Sequence, residues 1–228
     1  MSYKDWGVSK TFRFADERLK TMLQSLFRGE MTQASIGAAP DYLEVATDGT
    51  LTLHGESTVW DDITSSLIGR QLSSTAGKLD YDWEENAIVF NSAGDIAVVN
   101  DRLVWSFQYP HAAKTNGEVQ LHVHWEQTDT VAREFTLQYR IQNNGAIKNT
   151  TWTTVVVDTN ANNAFTYTSG TLNQITALKN IDMTGASLSA TMQFRLARTD
   201  AVAGDIRSTF VDAHVERDTL GSDDPFVK

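Results

Sequence analysis

A chain of 228 residues with 41% hydrophobic side chains has enough apolar material for one sizeable core, which excludes global disorder. It contains no cysteine, so disulfides, thiolate nucleophiles and cysteine-ligated zinc are excluded, and a formal charge of −10 excludes a general phosphate-binding surface. No stretch has the apolar length of a signal-peptide core or a membrane span, so synthesis in the cytoplasm is expected, with neither membrane nor nucleic acid as a partner.

Between Asp16 and Arg28, the apolar residues Leu19, Met22, Leu23, Leu26 and Phe27 fall at helical spacing, and Gly29 is placed to end the segment. The spacing predicts one amphipathic helix of about three turns, too short to be stable alone. Its apolar stripe is expected to pack on the chain's own sandwich or to dock on a neighbouring subunit or another protein. Gly29 to Pro40 reads as a linker, which makes residues 1–40 an N-terminal arm.

After Pro40 the period changes from helical to two residues. Tyr42–Thr47 and Leu51–His54 flank Asp48-Gly49, a pair suited to the positive φ angles of a tight hairpin turn. Further strands are expected at Thr58–Ile63, Ala87–Asn91, Leu103–Tyr109, Glu118–Gln127, Glu134–Gln142 and Trp152–Asp158. The series continues at Ala164–Thr168, Gly170–Leu178, Leu188–Thr199 and Ser208–Arg217. Short turns such as Asn143-Asn144-Gly145 and Asn160–Asn163 join them without intervening helices, which implies antiparallel pairing.

The alternation assigns faces. Val119, Leu121, Val123 and Trp125 point one way, while Gln120, His122, His124 and Glu126 point the other. Phe135, Leu137, Tyr139 and Ile141 oppose Thr136, Gln138 and Arg140; Met192, Phe194 and Leu196 oppose Gln193 and Arg195. One apolar and one polar face per strand describes a two-sheet sandwich, and about ten such strands suit a jelly roll. The expected fold is therefore all-β: an antiparallel, jelly-roll-like β-sandwich over residues 41–217, with the short helical arm before it and a C-terminal tail at 218–228.

His122-Val123-His124 is the sharpest chemical candidate, because histidines at i and i+2 on a strand share a face, as metal-ligand pairs do in cupins. Glu126 continues that face, His111 precedes the strand, and Asp212, His214 and Glu216 share a face of the last strand. A cupin centre needs its ligands inside the barrel, whereas these histidines lie on the polar face. The pattern favours a solvated or subunit-facing surface over a metal site. Asp61 and Asp62 are adjacent on a strand and point to opposite faces, so they are not a catalytic carboxylate pair. Trp60 is expected to anchor the core or an interface. Trp83, Trp105 and Trp152 are candidates for a sugar-stacking platform. No Gly-x-Ser-x-Gly, phosphate loop or His-Glu-x-x-His motif occurs, and neither catalysis nor a cofactor is expected.

The segment from Asp48-Gly49-Thr50-Leu51 to Thr58-Val59-Trp60-Asp61-Asp62-Ile63, then Gln108-Tyr109-Pro110-His111 and Leu121-His122-Val123-His124-Trp125, resembles a group of tailed-bacteriophage virion proteins. The resemblance spans roughly Thr47 to Glu126, and Leu121 stands where that group often has proline. It implies a structural β-sandwich subunit of a phage particle, expected to be a homotrimer. Such a subunit decorates the capsid, forms the neck or collar, or anchors a tail fibre, with capsid, portal or fibre proteins as partners and the virion as location. The expected contact surfaces are the stripe of Leu19, Met22, Leu23, Leu26 and Phe27, and the polar sheet face of His122, His124, Arg140 and Arg195. A carbohydrate- or receptor-binding module and a cupin-like metal-dependent enzyme are the alternatives.

Overall fold

The computed structural model describes residues 33–46, 51–55, 59–66, 79–91, 93–168 and 170–218, together with Thr21, Gln24, Ser25 and Arg28. Leu19, Met22, Leu23, Leu26 and Phe27, on which the expected helix stripe rests, lie outside the described residues. Within that segment Thr21, Gln24 and Ser25 are helical, and the Arg28 amide donates to the Gln24 carbonyl at 3.1 Å.

The described residues divide into two compact units. The first holds β1 (Gln33–Ala38), β2 (Asp41–Ala46) and β3 (Leu51–His54) in a three-stranded antiparallel sheet ordered β1-β2-β3. Its small core is Val45 with Leu43 and Leu51. On the opposite face, the Tyr42 and His54 rings stack at 4.2 Å and His54 Nε2 lies 3.1 Å from Glu44 Oε2.

Two expectations change here. The stretch read as a linker contains β1, which pairs with β2 through a turn at Ala39-Pro40. Its run of small residues carries no clear alternation, and the pairing is made by the backbone. The sandwich also begins at about Trp60, not at Asp41, because the β2–β3 hairpin pairs with β1 and keeps its own sheet. Local alternation indicates a strand without indicating its partner.

The second unit runs from Trp60 to Arg217 and is all-β, with two antiparallel sheets around one core. Its strands are β4 (Val59–Ser66, which starts one residue before the unit), β5 (Leu79–Asp82), β6 (Ala87–Phe90), β7 (Leu103–Gln108), β8 (Glu118–Gln127), β9 (Glu134–Gln142) and β10 (Thr153–Asp158). They continue with β11 (Leu172–Asp182), β12 (Thr191–Arg198) and β13 (Ile206–Arg217). One sheet is ordered β10-β9-β12-β7; the other is ordered β11-β8-β13-β6-β5, with β4 also pairing β13. A single helical turn, α1 (Thr159–Asn162), follows β10 and is capped by the Asp158 carboxylate, which accepts from the Asn160 amide.

The core is made by the faces that the two-residue period assigns. Val119, Leu121, Val123 and Trp125 of β8 and Val211, Ala213 and Val215 of β13 are buried, as are Phe135 and Leu137 of β9 and Met192, Phe194 and Leu196 of β12. Phe135 meets Phe90 and Trp125 edge-on across the sheets, and Trp105 stacks on Phe194 at 5.1 Å. Trp60, expected to be an anchor, is 47% exposed.

Residues Ala164–Thr168, expected to be a strand, form no ladder. Asn163 makes an isolated bridge to Thr176, the Ala164 amide donates to the Ile175 carbonyl at 2.8 Å, and the Tyr167 hydroxyl bonds Thr159 Oγ1 in α1. β5 is four residues long, too short to show its period, and closes a hairpin with β6 in which Asn86 adopts φ 56°.

A buried ion pair fastens the end of the sandwich. Arg198 is fully buried; its Nε and Nη2 reach Asp200 at 2.8–3.1 Å, and its Nη1 donates to the Phe90 and Gly204 carbonyls. Asp200 in turn accepts from the Glu134 amide at 3.0 Å. Burial raises the Asp200 pKa, but the bonds from Arg198 and the Glu134 amide outweigh it and hold the carboxyl below its usual 3.8. Breaking a buried pair strands a charge, so Arg198→Met is expected to cost about 3–5 kcal/mol in urea unfolding. The depressed carboxyl contributes stability above the unfolded pKa and loses it as pH falls through the folded value. The stability gap between the unsubstituted chain and Asp200→Asn should therefore be constant near neutrality and shrink below about pH 3.8; a gap that widens on acidification would contradict this.

Candidate functional site

The polar residues of β8 and β13 come together on the outer face of the larger sheet. In the β8–β13 register Asp212 stands opposite His122 and Phe210 opposite His124, and the side chains that alternate with the core residues point away from it. The strand order β11-β8-β13 places these side chains in mid-sheet, with β4 paired on β13. Three of the chain's five histidines thereby meet one aspartate.

Asp212 is the centre of the cluster and is 6% exposed. His124 Nε2 lies 3.2 Å from its Oδ1, and His214 Nε2 lies 3.2 Å from its Oδ2. Asp62 of β4 approaches the same His214 nitrogen at 3.1 Å through Oδ1. The His122 and His214 rings are 4.5 Å apart, and His124 stacks on Phe210 at 4.1 Å. Asp212 Oδ1 is buried without a hydrogen bond, since the approach of His124 lacks the required alignment. His122 Nδ1 is also buried without a hydrogen-bond partner.

Burial lowers the His122 pKa, opposed by the negative charge of Asp212 and reinforced by the neighbouring His214 and His124. An imidazole with an unengaged buried nitrogen therefore lies beside a buried carboxylate. Potential ligand atoms of His122, Asp212 and His214 all lie within 4.8 Å of one another.

The other expected site residues go elsewhere. His111 contacts Ser189 Oγ, and Gln108 at 3.4 Å, and takes no part in the histidine cluster. Glu216 pairs with Lys114 at 2.7 Å. Asp61 and Asp62 diverge as alternation requires: Asp61 binds Arg217 at 2.8 Å, whereas Asp62 joins the cluster. Arg140 and Arg195 do not share a face with His122 and His124. They lie on the outer face of the smaller sheet, with guanidinium carbons 4.4 and 3.8 Å from the centre of the Trp152 ring. The single polar face grouping these four residues is thus two faces on two sheets, a separation that strand alternation alone does not reveal. Trp105 is in the core, Trp152 is covered by arginines, and Trp83 is 86% exposed beside Tyr81.

The histidines face away from the core, so they do not make a cupin-type interior centre. Beside them, a groove of about 240 Å³ is lined by His124, Phe165, Arg207 and Phe210, among others.

No family model and no curated protein matches the chain. Among solved structures it is similar to the crystal structure of dimeric latent PorU from Porphyromonas gingivalis, with 13% identity and a TM-score of 0.29. That match covers 71% of this chain and 13% of the PorU chain, so this chain spans a small part of PorU's length.

Asp212 gives the cluster its internal order, because two histidine nitrogens converge on it. In chelator-treated protein, Asp212→Ala is expected to lower unfolding free energy by about 1–3 kcal/mol through the polar groups it leaves unsatisfied. Guanidinium unfolding that shows no loss would mean the histidines are satisfied without it.

Proposed function

We propose that this chain is a bacteriophage virion structural protein: a self-associating, trimeric jelly roll in the capsid decoration, the neck or collar, or the fibre anchor. The observation that carries the reading is the strand order. Along β6 to β13 the chain crosses between the sheets at every step except the β9–β10 hairpin, and the two sets form the orders β11-β8-β13-β6 and β10-β9-β12-β7. An eight-stranded double Greek key of this kind is shared by viral capsid domains, lectins and cupins. Within that group, the phage-like motifs around Trp60-Asp61-Asp62 and His122-Val123-His124-Trp125 favour the virion role, and the outward direction of the histidines disfavours the cupin.

The apolar residues Leu19, Met22, Leu23, Leu26 and Phe27 of the N-terminal arm are the candidate attachment to a neighbour. The arginine-rich outer face of the smaller sheet is the candidate contact for a second copy, with Val156 60% exposed on β10. Light scattering of the purified chain is expected to give a mass three times that of one chain, and mass spectrometry of purified particles should detect it. A monomer at high concentration that is absent from virions would overturn the reading.

A second reading, glycan recognition by a receptor-binding tip, rests on Trp83 alone of the three candidate tryptophans. If it holds, glycan-array binding should be present and disappear in Trp83→Ala; an array with no signal removes it.

A further inference from the structure

Outer sheet faces usually carry solvated polar side chains, and a histidine-carboxylate cluster could be only that. Three features distinguish this one. First, the distances suit donors sharing an ion. Ligands held at about 2.0–2.2 Å around a tetrahedral cation lie about 3.3 Å from one another. His214 Nε2 lies 3.2 Å from Asp212 Oδ2, and the ligand atoms of His122, Asp212 and His214 all lie within 4.8 Å of one another. Second, Asp212 is 6% exposed with Oδ1 lacking a hydrogen bond, and His122 Nδ1 is buried in the same condition. Buried polar atoms without partners are rare enough to call for an explanation, and a ligand is one of the few available. Third, the donors sit on paired strands, so the backbone ladder supplies their positions before any ligand arrives.

We propose that His122, Asp212 and His214 bind one divalent first-row d-block cation. Two imidazole nitrogens with carboxylate oxygens suit zinc and its neighbours, whereas calcium and magnesium prefer an all-oxygen shell. His124 stands outside the ligand set, with its Nε2 3.2 Å from Asp212 Oδ1. The ion would join β8 and β13 through side chains on one face, a link made within a single chain. This inference goes beyond the proposed virion role and holds or fails independently of it.

The test is titration of the full chain, stripped with EDTA and desalted, with zinc chloride and separately with calcium chloride, read by calorimetry and thermal unfolding. One zinc per chain and a higher melting temperature, reversed by EDTA, are expected. Calcium should produce neither. Zinc binding should survive in His111→Ala and disappear in the double variant His122→Ala/His214→Ala. If the double variant does not fold, the visible spectrum of the unsubstituted chain with cobalt(II) decides. An intense four- or five-coordinate spectrum supports the site, and the pale spectrum of the hexaaquo ion overturns it. Absence of zinc binding, or stoichiometric binding retained in a folded double variant, would also overturn it.

Discussion

The pairing of β13 is the constraint on which the rest of the larger sheet depends. This strand of twelve residues pairs with β8 along most of its length, with β6 near its start, and with β4. Its inward side chains, Val211, Ala213 and Val215, are core; its outward ones include Asp212 and His214. Because the side-chain period is two, a slip of one residue would expose the valines and bury His214 in the core. The hydrophobic effect that fixes the core therefore also fixes the outer cluster. Its positional accuracy comes from packing on the other side of the same strand.

The fold tolerates charge in its interior where geometry satisfies it. Arg198 joins three parts of the second unit: its own strand β12, the Phe90 carbonyl of β6 and the turn before β13. Arg133, 2% exposed, is less completely engaged: Nη2 binds Asp129 at 2.6 Å, while Nε and Nη1 lack partners. Desolvating a charge costs several kcal/mol, so the fully bonded arginine rather than the partly bonded one holds this end together. Trp125 shows the neutral form of the same rule. Its ring packs in the core while Nε1 donates to the buried Thr176 hydroxyl at 2.8 Å, so a large aromatic is buried without leaving its polar atom unsatisfied.

Much of this was legible in the sequence because alternation is a local property. The limits of β8 and β9 coincide with their expected ranges, and the inward residues of β8, β9 and β12 are core as the pattern predicts, although Thr136 of the polar set of β9 is also buried. Pairing partners are non-local, and there the sequence is silent. The hairpin after Pro40 has the same alternation whether it joins the main sandwich or a separate sheet. The reading that groups His122 with Arg140 identifies both as outward without revealing that they belong to different sheets. The cluster was half visible: His122 and His124 on one strand, Asp212 and His214 on another, each pair sharing a face. What joins them is the β8–β13 register, and what adds Asp62 is the β4–β13 pairing. His111, close in sequence to β8, is carried to Ser189 instead.

The charge balance of the cluster sharpens its chemistry. Asp212 is buried, and among the described residues its close charged-group contacts are to His124 and His214, with neither lysine nor arginine. Elsewhere in the same unit, buried or half-buried carboxylates pair with permanent cations: Asp200 with Arg198, Glu216 with Lys114, Asp82 with Arg207. The fold thus has basic residues available for acids and does not place one beside Asp212. Imidazole differs from those cations in being able to offer a lone pair rather than a proton. A carboxylate surrounded by groups that can donate electron pairs is balanced electrostatically by a cation shared among them. This distinguishes the outer face of the larger sheet from that of the smaller one, where two guanidinium groups cover an indole and the natural complement is an anion or another protein surface.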